Sequence, residues 1–298
     1  MSKSTMSKKS TATASAAAAV ERVAIITGGN SGLGYESALA LLNQGFRVIL
    51  ACRSMERGAT ARDKLRTQGG GFRPSAVSVS QLDTSSLESV RDFASRVLAQ
   101  GTPVHVLMCN AGIMMGPRRA SVDGYELQFA TNYLGHFLLV ETLLPLLAAS
   151  GTPDNPARVI QVSSIAGRFG RLQLDDIMHA SGGDEGYDTL SVYQQSKYAQ
   201  IVYSHSLAAR LAASSSCVIS HSLEPGIVAT GLSKGIDDPM MRSKLERGVS
   251  PAEGAQTQIA LACLPAANVV PSSGMHWKDS APWPAVTARL PLEEASAL

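Results

Sequence analysis

Acidic residues are absent from the first twenty positions, and cysteine, aromatic and charged residues are sparse throughout. The four cysteines, Cys52, Cys109, Cys217 and Cys263, lie far apart and form no Cys-x-x-Cys pair. That pattern excludes a disulfide framework and points to reduced thiols in a reducing compartment. The six histidines show no His-Glu-x-x-His or similar ligand spacing, so no metal site is expected. No apolar run reaches the roughly 20 residues that span a bilayer. The most apolar stretch, 138–149, is broken by Glu141 and Pro145, so no transmembrane segment is expected. Net charge is +2, and Lys3, Lys8 and Lys9 put +3 into the first twenty residues, which leaves the body at −1. A folded body without a basic excess excludes nucleic acid as a partner.

What remains is an ordinary globular balance: 298 residues, 45% apolar and 17% charged. This suffices for one large core. Residues 1–20 hold Ser, Thr, Ala, Lys and Met with almost none of the large apolar residues a core needs, and are expected to be a disordered tail. The expected location is cytoplasmic. The alternative is organelle targeting by this Ser-rich, acid-free tail. The folded domain is expected over 21–280, with an irregular tail at 281–298.

Short apolar strands alternate with helical patterns along the body. Strands are expected at 22–27, 46–52, 75–82, 104–108, 158–162, 217–223 and 274–277. Helices are expected at about 33–44, 55–68, 84–100, 124–149, 191–213 and 251–264. Such alternation implies a single-domain, Rossmann-type α/β fold, a doubly wound parallel sheet of about seven strands flanked by helices. Residues 231–250 mix Gly, Pro, Met and charge and read as a mobile flap, a common seat of substrate specificity.

The first strand runs into Gly28-Gly29-Asn30-Ser31-Gly32-Leu33-Gly34 and then a helix. Glycines let a backbone approach a pyrophosphate, and a helix N-terminus offers free N–H groups to it. The second strand ends in Cys52-Arg53, where NAD-binding units carry an acid for the ribose 2′-hydroxyl. A cation there suits the 2′-phosphate of NADP. Asp83 ends the third strand, where it can hold an adenine amino group or cap the next helix. Asn110-Ala111-Gly112 ends the fourth strand and leaves room for a flat ring. Asn132 interrupts an apolar helix and needs a paired partner if buried. His136, one turn on, reads as a packing residue.

Tyr193 and Lys197 lie four apart on one helix face. A fixed ammonium is expected to lower a tyrosine pKa from about 10 and make the hydroxyl useful as an acid or base. Ser164 follows the fifth strand, at the end of the sheet where ligands of such folds bind. Pro225-Gly226-Ile227-Val228-Ala229-Thr230 follows the sixth.

Taken in order, Thr27-Gly28, Gly32, Gly34, Asn110-Ala111-Gly112, Asn132, Ser164, Tyr193, Lys197 and Pro225-Gly226, Val228, Thr230 resemble the short-chain dehydrogenase/reductase family over about 21–278. Ala51-Cys52-Arg53 and Leu134-Gly135-His136-Phe137 resemble its retinol-dehydrogenase and WW-domain-oxidoreductase branch. Met108-Cys109-Asn110-Ala111 and Gly274-Met275-His276-Trp277 also resemble light-dependent protochlorophyllide reductases.

The resemblance implies a catalytic set of Asn132, Ser164, Tyr193 and Lys197. It implies NADP(H) held by Gly28, Asn30, Ser31, Gly32, Leu33, Gly34, Arg53, Asp83, Asn110, Ala111, Gly112, Tyr193, Lys197, Pro225, Gly226, Val228 and Thr230. It further implies a small carbonyl or alcohol substrate of apolar character and a homodimer or homotetramer. The alternatives are a photoenzyme acting on a chlorophyll precursor and a non-catalytic NADP(H)-sensing protein.

Overall fold

Successive strand residues point to opposite faces, and here both faces are covered. In β1 (Val23–Thr27) every residue is buried. Ile25 joins a core with Phe93, Leu139, Leu143 and Leu207. Ile26 joins a second core with Leu41, Leu42, Leu50 and Trp277. The computed structural model describes residues 21–68, 70–114, 116–232, 236, 238–288 and 290. The tail expected at 1–20, and residues 291–298 of the one expected at the C-terminus, lie outside the described residues.

The remaining strands are β2 (Arg47–Cys52), β3 (Val77–Gln81), β4 (Val106–Cys109), β5 (Ala157–Val162), β6 (Val218–Leu223), β7 (His276–Lys278) and β8 (Ala281–Pro282). The sheet order is β3-β2-β1-β4-β5-β6-β7-β8. All pairings are parallel except the last, β7 with β8. Where about seven strands are expected, the described residues form eight. The two-residue β8 has no apolar periodicity to announce it, and Asp279 and Ser280, both at positive φ, form the turn into it. After β8, Pro284–Thr287 forms a short helix within the stretch expected to be irregular.

The winding reverses between β1 and β4. In open α/β sheets the crevice outside such a switch point is where ligands bind. α1 (Gly32–Asn43), α2 (Met55–Gln68) and α3 (Leu87–Gln100) follow the first three strands. Ser86, not Asp83, caps α3, its hydroxyl accepting from Ser89 N at 3.2 Å.

α4 (Leu127–Ser150) is long and apolar enough to cross a membrane by length and composition alone. One face of it packs inward: Leu139, Val140, Leu143 and Leu147 are fully buried against the sheet and α3. It starts three residues later than the sequence suggests, because Glu126 caps it by accepting from Gln128 N and Phe129 N. Its first turns include a π-helical segment, Ala130–Leu134, in which Gly135 N–H reaches back to Ala130 O. α5 (Thr189–Ala213) is capped by Asp188 and carries Tyr193 and Lys197. Part of the expected flap is a helix, Pro239–Glu246, capped by Asp238. Residues 233–235 and 237 of that flap lie outside the described residues.

Candidate active site

The site is built at the carboxyl ends of β1, β4, β5 and β6. Thr27, the last residue of β1, organises its floor. Its Oγ1 accepts from Asn110 N at 2.8 Å and from Ala111 N at 2.9 Å. Asn110 Nδ2 donates back to Thr27 O at 2.9 Å. This clasp sets the course of 110–112. A Cβ at Gly112 would lie 3.2 Å from Asn132 Oδ1 and 3.5 Å from Lys197 Nζ, a close approach of backbone to side chains. Two polar side chains from different helices thus converge on one backbone position.

Asn132 sits in the π-helical turn and is fully buried. Its amide is satisfied: Oδ1 accepts from Ile113 N at 2.9 Å, and Nδ2 donates to Ile113 O and Ser196 Oγ, each at 3.0 Å. π-bulges recur where a helix must re-aim functional groups. His136 Nδ1 donates to Asn132 O at 2.9 Å, which leaves Nε2 to accept from Thr27 Oγ1, also at 2.9 Å. Burial pushes its pKa down to about 4, so this imidazole is neutral. His136 packs, as expected, and it also ties Asn132 to Thr27.

Tyr193 is buried. Burial pushes it up to about 12, with the neighbouring Ser164 hydroxyl partly opposing the rise. Burial also pushes Lys197 down to about 7. The expected lowering of the Tyr193 pKa by Lys197 is therefore not found here. Lys197 Nζ lies 5.9 Å from the Tyr193 ring centroid. It donates to Val162 O at 2.9 Å and Gln200 Oε1 at 3.1 Å. Desolvation of the phenolate outweighs an ammonium held at that distance.

A cavity of about 1310 Å³ runs across the strand ends. Gly28, Asn30, Ser31, Gly32 and Leu33 line it, as do Arg53 and Asp83. Asn110, Ala111, Gly112, Ser164, Tyr193 and Lys197 line it too, as do Pro225, Gly226, Val228 and Thr230. Gly34 and Asn132 are not on its wall. Gly34 lies behind it, where a Cβ would meet Gly28 O and Asn110 Nδ2 at 2.6 Å each. Asn132 lies behind Gly112 and Ile113.

Asp83 Oδ1 accepts from Ser85 N at 2.9 Å and from Ser85 Oγ at 2.6 Å, a local turn beside the cavity. Arg53 is exposed at the rim. Arg57 and Lys64 of α2 line the same cavity. Sequence reasoning passed over both, although their presence on the helix after Arg53 was a readable signal. Gln200 was also passed over, and Thr27 was read only as part of the glycine motif. Gln200 is a polar residue on a buried helix face three residues after Lys197, and that is the mark that singles it out.

The residues present fit a dinucleotide. The glycine turn admits a backbone close approach, and the Ser31 side chain makes no capping bond to the first α1 amides. The cavity exceeds the roughly 300–1,000 Å³ of an ordinary small-molecule pocket.

Sheet order, switch point and this side-chain cluster together define a Rossmann-type oxidoreductase domain. The chain belongs to the short-chain dehydrogenase family: the sequence profile described as short chain dehydrogenase matches residues 22–174. It is 38% identical over 271 residues to retinol dehydrogenase 14 of Mus musculus, covering 87% of this chain and 78% of the relative. It is 38% identical over 242 residues to polyprenol dehydrogenase of Danio rerio, covering 80% and 72%. Among solved structures, the Pseudomonas aeruginosa RhlG/NADP active-site complex superposes with a TM-score of 0.63 at 28% identity, covering 81% of this chain and 89% of that one. Nicotinamide dinucleotides, NADP or NADH, are bound in several of the similar structures.

Proposed function

We propose that the protein interconverts a carbonyl and an alcohol on an apolar small molecule, using NADP(H). The observation that carries this reading is the convergence of Ser164, Tyr193 and Lys197 on one cavity wall beside the glycine turn. When bound, the dinucleotide supplies or accepts the hydride.

The chain's own residues handle the proton. With its pKa pushed up to about 12, Tyr193 keeps its proton at neutral pH and is a donor to a carbonyl oxygen. That favours reduction as the working direction. The Ser164 hydroxyl, beside Tyr193 on the cavity wall, holds the same oxygen. Lys197, down at about 7, exchanges protons readily near neutrality and resupplies Tyr193. Asn132 acts through position, holding Ile113 and so the backbone opposite Lys197.

An apolar substrate is supported by Ile113, Met114, Ile165, Leu190, Leu232 and Met241 on the cavity wall. It is also supported by relatives named for retinol and polyprenol, both long apolar alcohols. NADP over NAD is supported by Arg53, Arg57 and Lys64 at one rim.

The test is a screen of apolar ketones, aldehydes and alcohols with NADPH, run on the wild type and Tyr193→Phe. Turnover that falls by about three orders of magnitude or more in Tyr193→Phe, with nucleotide affinity retained, is the expected result. Retained turnover in that variant removes the assigned acid, and failure to bind either nucleotide removes the function.

A further inference from the structure

Lys197 makes its two side-chain bonds on the side away from solvent, and one of them is to an amide that nothing in the reaction requires. Gln200 lies three residues on in α5 and is fully buried. Its orientation is settled by chemistry. An ammonium only donates, so the atom 3.1 Å from Lys197 Nζ is the amide oxygen. Gln200 Nε2 then faces Gln161 Oε1 on β5 at 3.4 Å, while the buried Gln161 Nε2 has no hydrogen-bond partner. Two neutral amides therefore lead from Lys197 into the sheet.

We propose that Gln200 is the positioning residue of Lys197: its amide oxygen fixes the ammonium beneath Gly112 and sustains its charge near neutrality. The inference rests on the function proposed above, in which Lys197 works in the site. Without Gln200 the Val162 carbonyl is the acceptor left to Nζ among the described residues. No carboxylate forms an ion pair with Lys197 among the described residues. The ionisable groups around it are all neutral at working pH. Tyr193 on its own helix is pushed up to about 12, His136 on α4 is pushed down to about 4, and burial pushes the Cys109 thiol up. Among the described residues the Gln200 amide is thus the side-chain partner of this buried cation.

The experiment is an NMR titration of the full chain carrying 13Cε-labelled lysine, with Lys197→Met used to assign the resonance. Gln200→Leu is expected to move the Lys197 midpoint down by about one pH unit or more, and Gln200→Glu to move it up. The acidic or basic limb of the carbonyl-reduction pH profile should move with it. Midpoints unchanged in both variants overturn the inference, whatever the activity. If Gln200→Leu does not fold, the upward shift in Gln200→Glu decides alone. A wild type that binds no dinucleotide and turns over no carbonyl defeats the proposed function instead, and the titration still reads the Lys197–Gln200 contact.

Discussion

Arg168 Nε lies 3.0 Å from the Glu224 carboxylate, in a place where the Glu224 side chain is only 1% exposed and that of Arg168 23%. The pair is close in charge but poorly aligned, since neither Glu224 oxygen makes a well-directed hydrogen bond. His276 Nε2 lies 3.8 Å from the same carboxylate. The Arg168 guanidinium stacks over Trp283 at 4.5 Å, and Lys278 approaches the same ring at 5.2 Å. Arg168 belongs to the 3₁₀ turn Ile165–Phe169 that Ser164 caps, and Glu224 is the residue before Pro225. One buried ion pair therefore joins the two loops that flank the site.

Breaking such a pair from one side strands a charge, which costs about 3–5 kcal/mol. Urea unfolding should show Glu224→Gln and Arg168→Met each losing stability, with Arg168→Met near the upper part of that range because it strands the carboxylate, the more buried partner. The double variant Arg168→Met/Glu224→Leu should lose less than the two singles combined. Strict additivity would mean the pair is not coupled.

In the proposed function Arg53, the residue after β2, is the one that would favour NADP over NAD. A hydrogen bond to a charged group is worth about 1.5–3 kcal/mol. Arg53→Ala should therefore weaken NADPH by about 10- to 100-fold and leave NADH nearly unchanged, as read by fluorescence titration. Equal loss for both nucleotides would place Arg53 on a shared part of the ligand. No loss for either would move the specificity to Arg57 and Lys64.

Gly34 is helical, where alanine ordinarily gains about 1 kcal/mol over glycine. Here the added Cβ meets Gly28 O at 2.6 Å, and a backbone oxygen cannot swing aside as a side chain can. Steric conflict should win over propensity. Gly34→Ala is expected to lower the melting temperature and to weaken both nucleotides about 10-fold or more by shifting the turn at Gly28. Unchanged binding would separate that turn from the nucleotide site.

Lys197 ties stability to pH. Its folded pKa is near 7 against an unfolded value of about 10.4, so between those limits the unfolded chain binds the extra proton. Stability contributed through this group rises with pH across that window. Compared with Lys197→Met, the wild type should gain stability steadily from about pH 7 to pH 10 and show little relative change below. Parallel curves for the two proteins across the window would show that Lys197 titrates normally.

Much of the site was legible in the chain because its chemistry demands fixed residue types at fixed spacings. The strand, glycine turn and helix at 22–44 follow from apolar run, glycines and periodicity, and the structure places them as expected. Tyr193 and Lys197 share a helix face by simple arithmetic. The pKa of Tyr193 was misjudged because spacing reveals a neighbour but not the depth of burial, and burial is the larger effect. The π-turn at Asn132 was invisible, since an α-helix and a π-bulge bury the same residues at nearly the same period. The Thr27 clasp and the Arg168–Glu224 pair join residues far apart in sequence, 83 positions for Thr27 and Asn110, and no local pattern reports such contacts.

The last strand has a consequence for how copies of this chain can meet. An open sheet edge is a template on which another chain's strand can grow. On the outer side of β7 that edge is taken up by β8, which has only two residues, both exposed, and ends in Pro282, a residue with no N–H to offer. A further strand would find almost no ladder to continue. Polymerisation by strand addition is blocked at that end of the sheet, and contacts between copies there must be made by side chains.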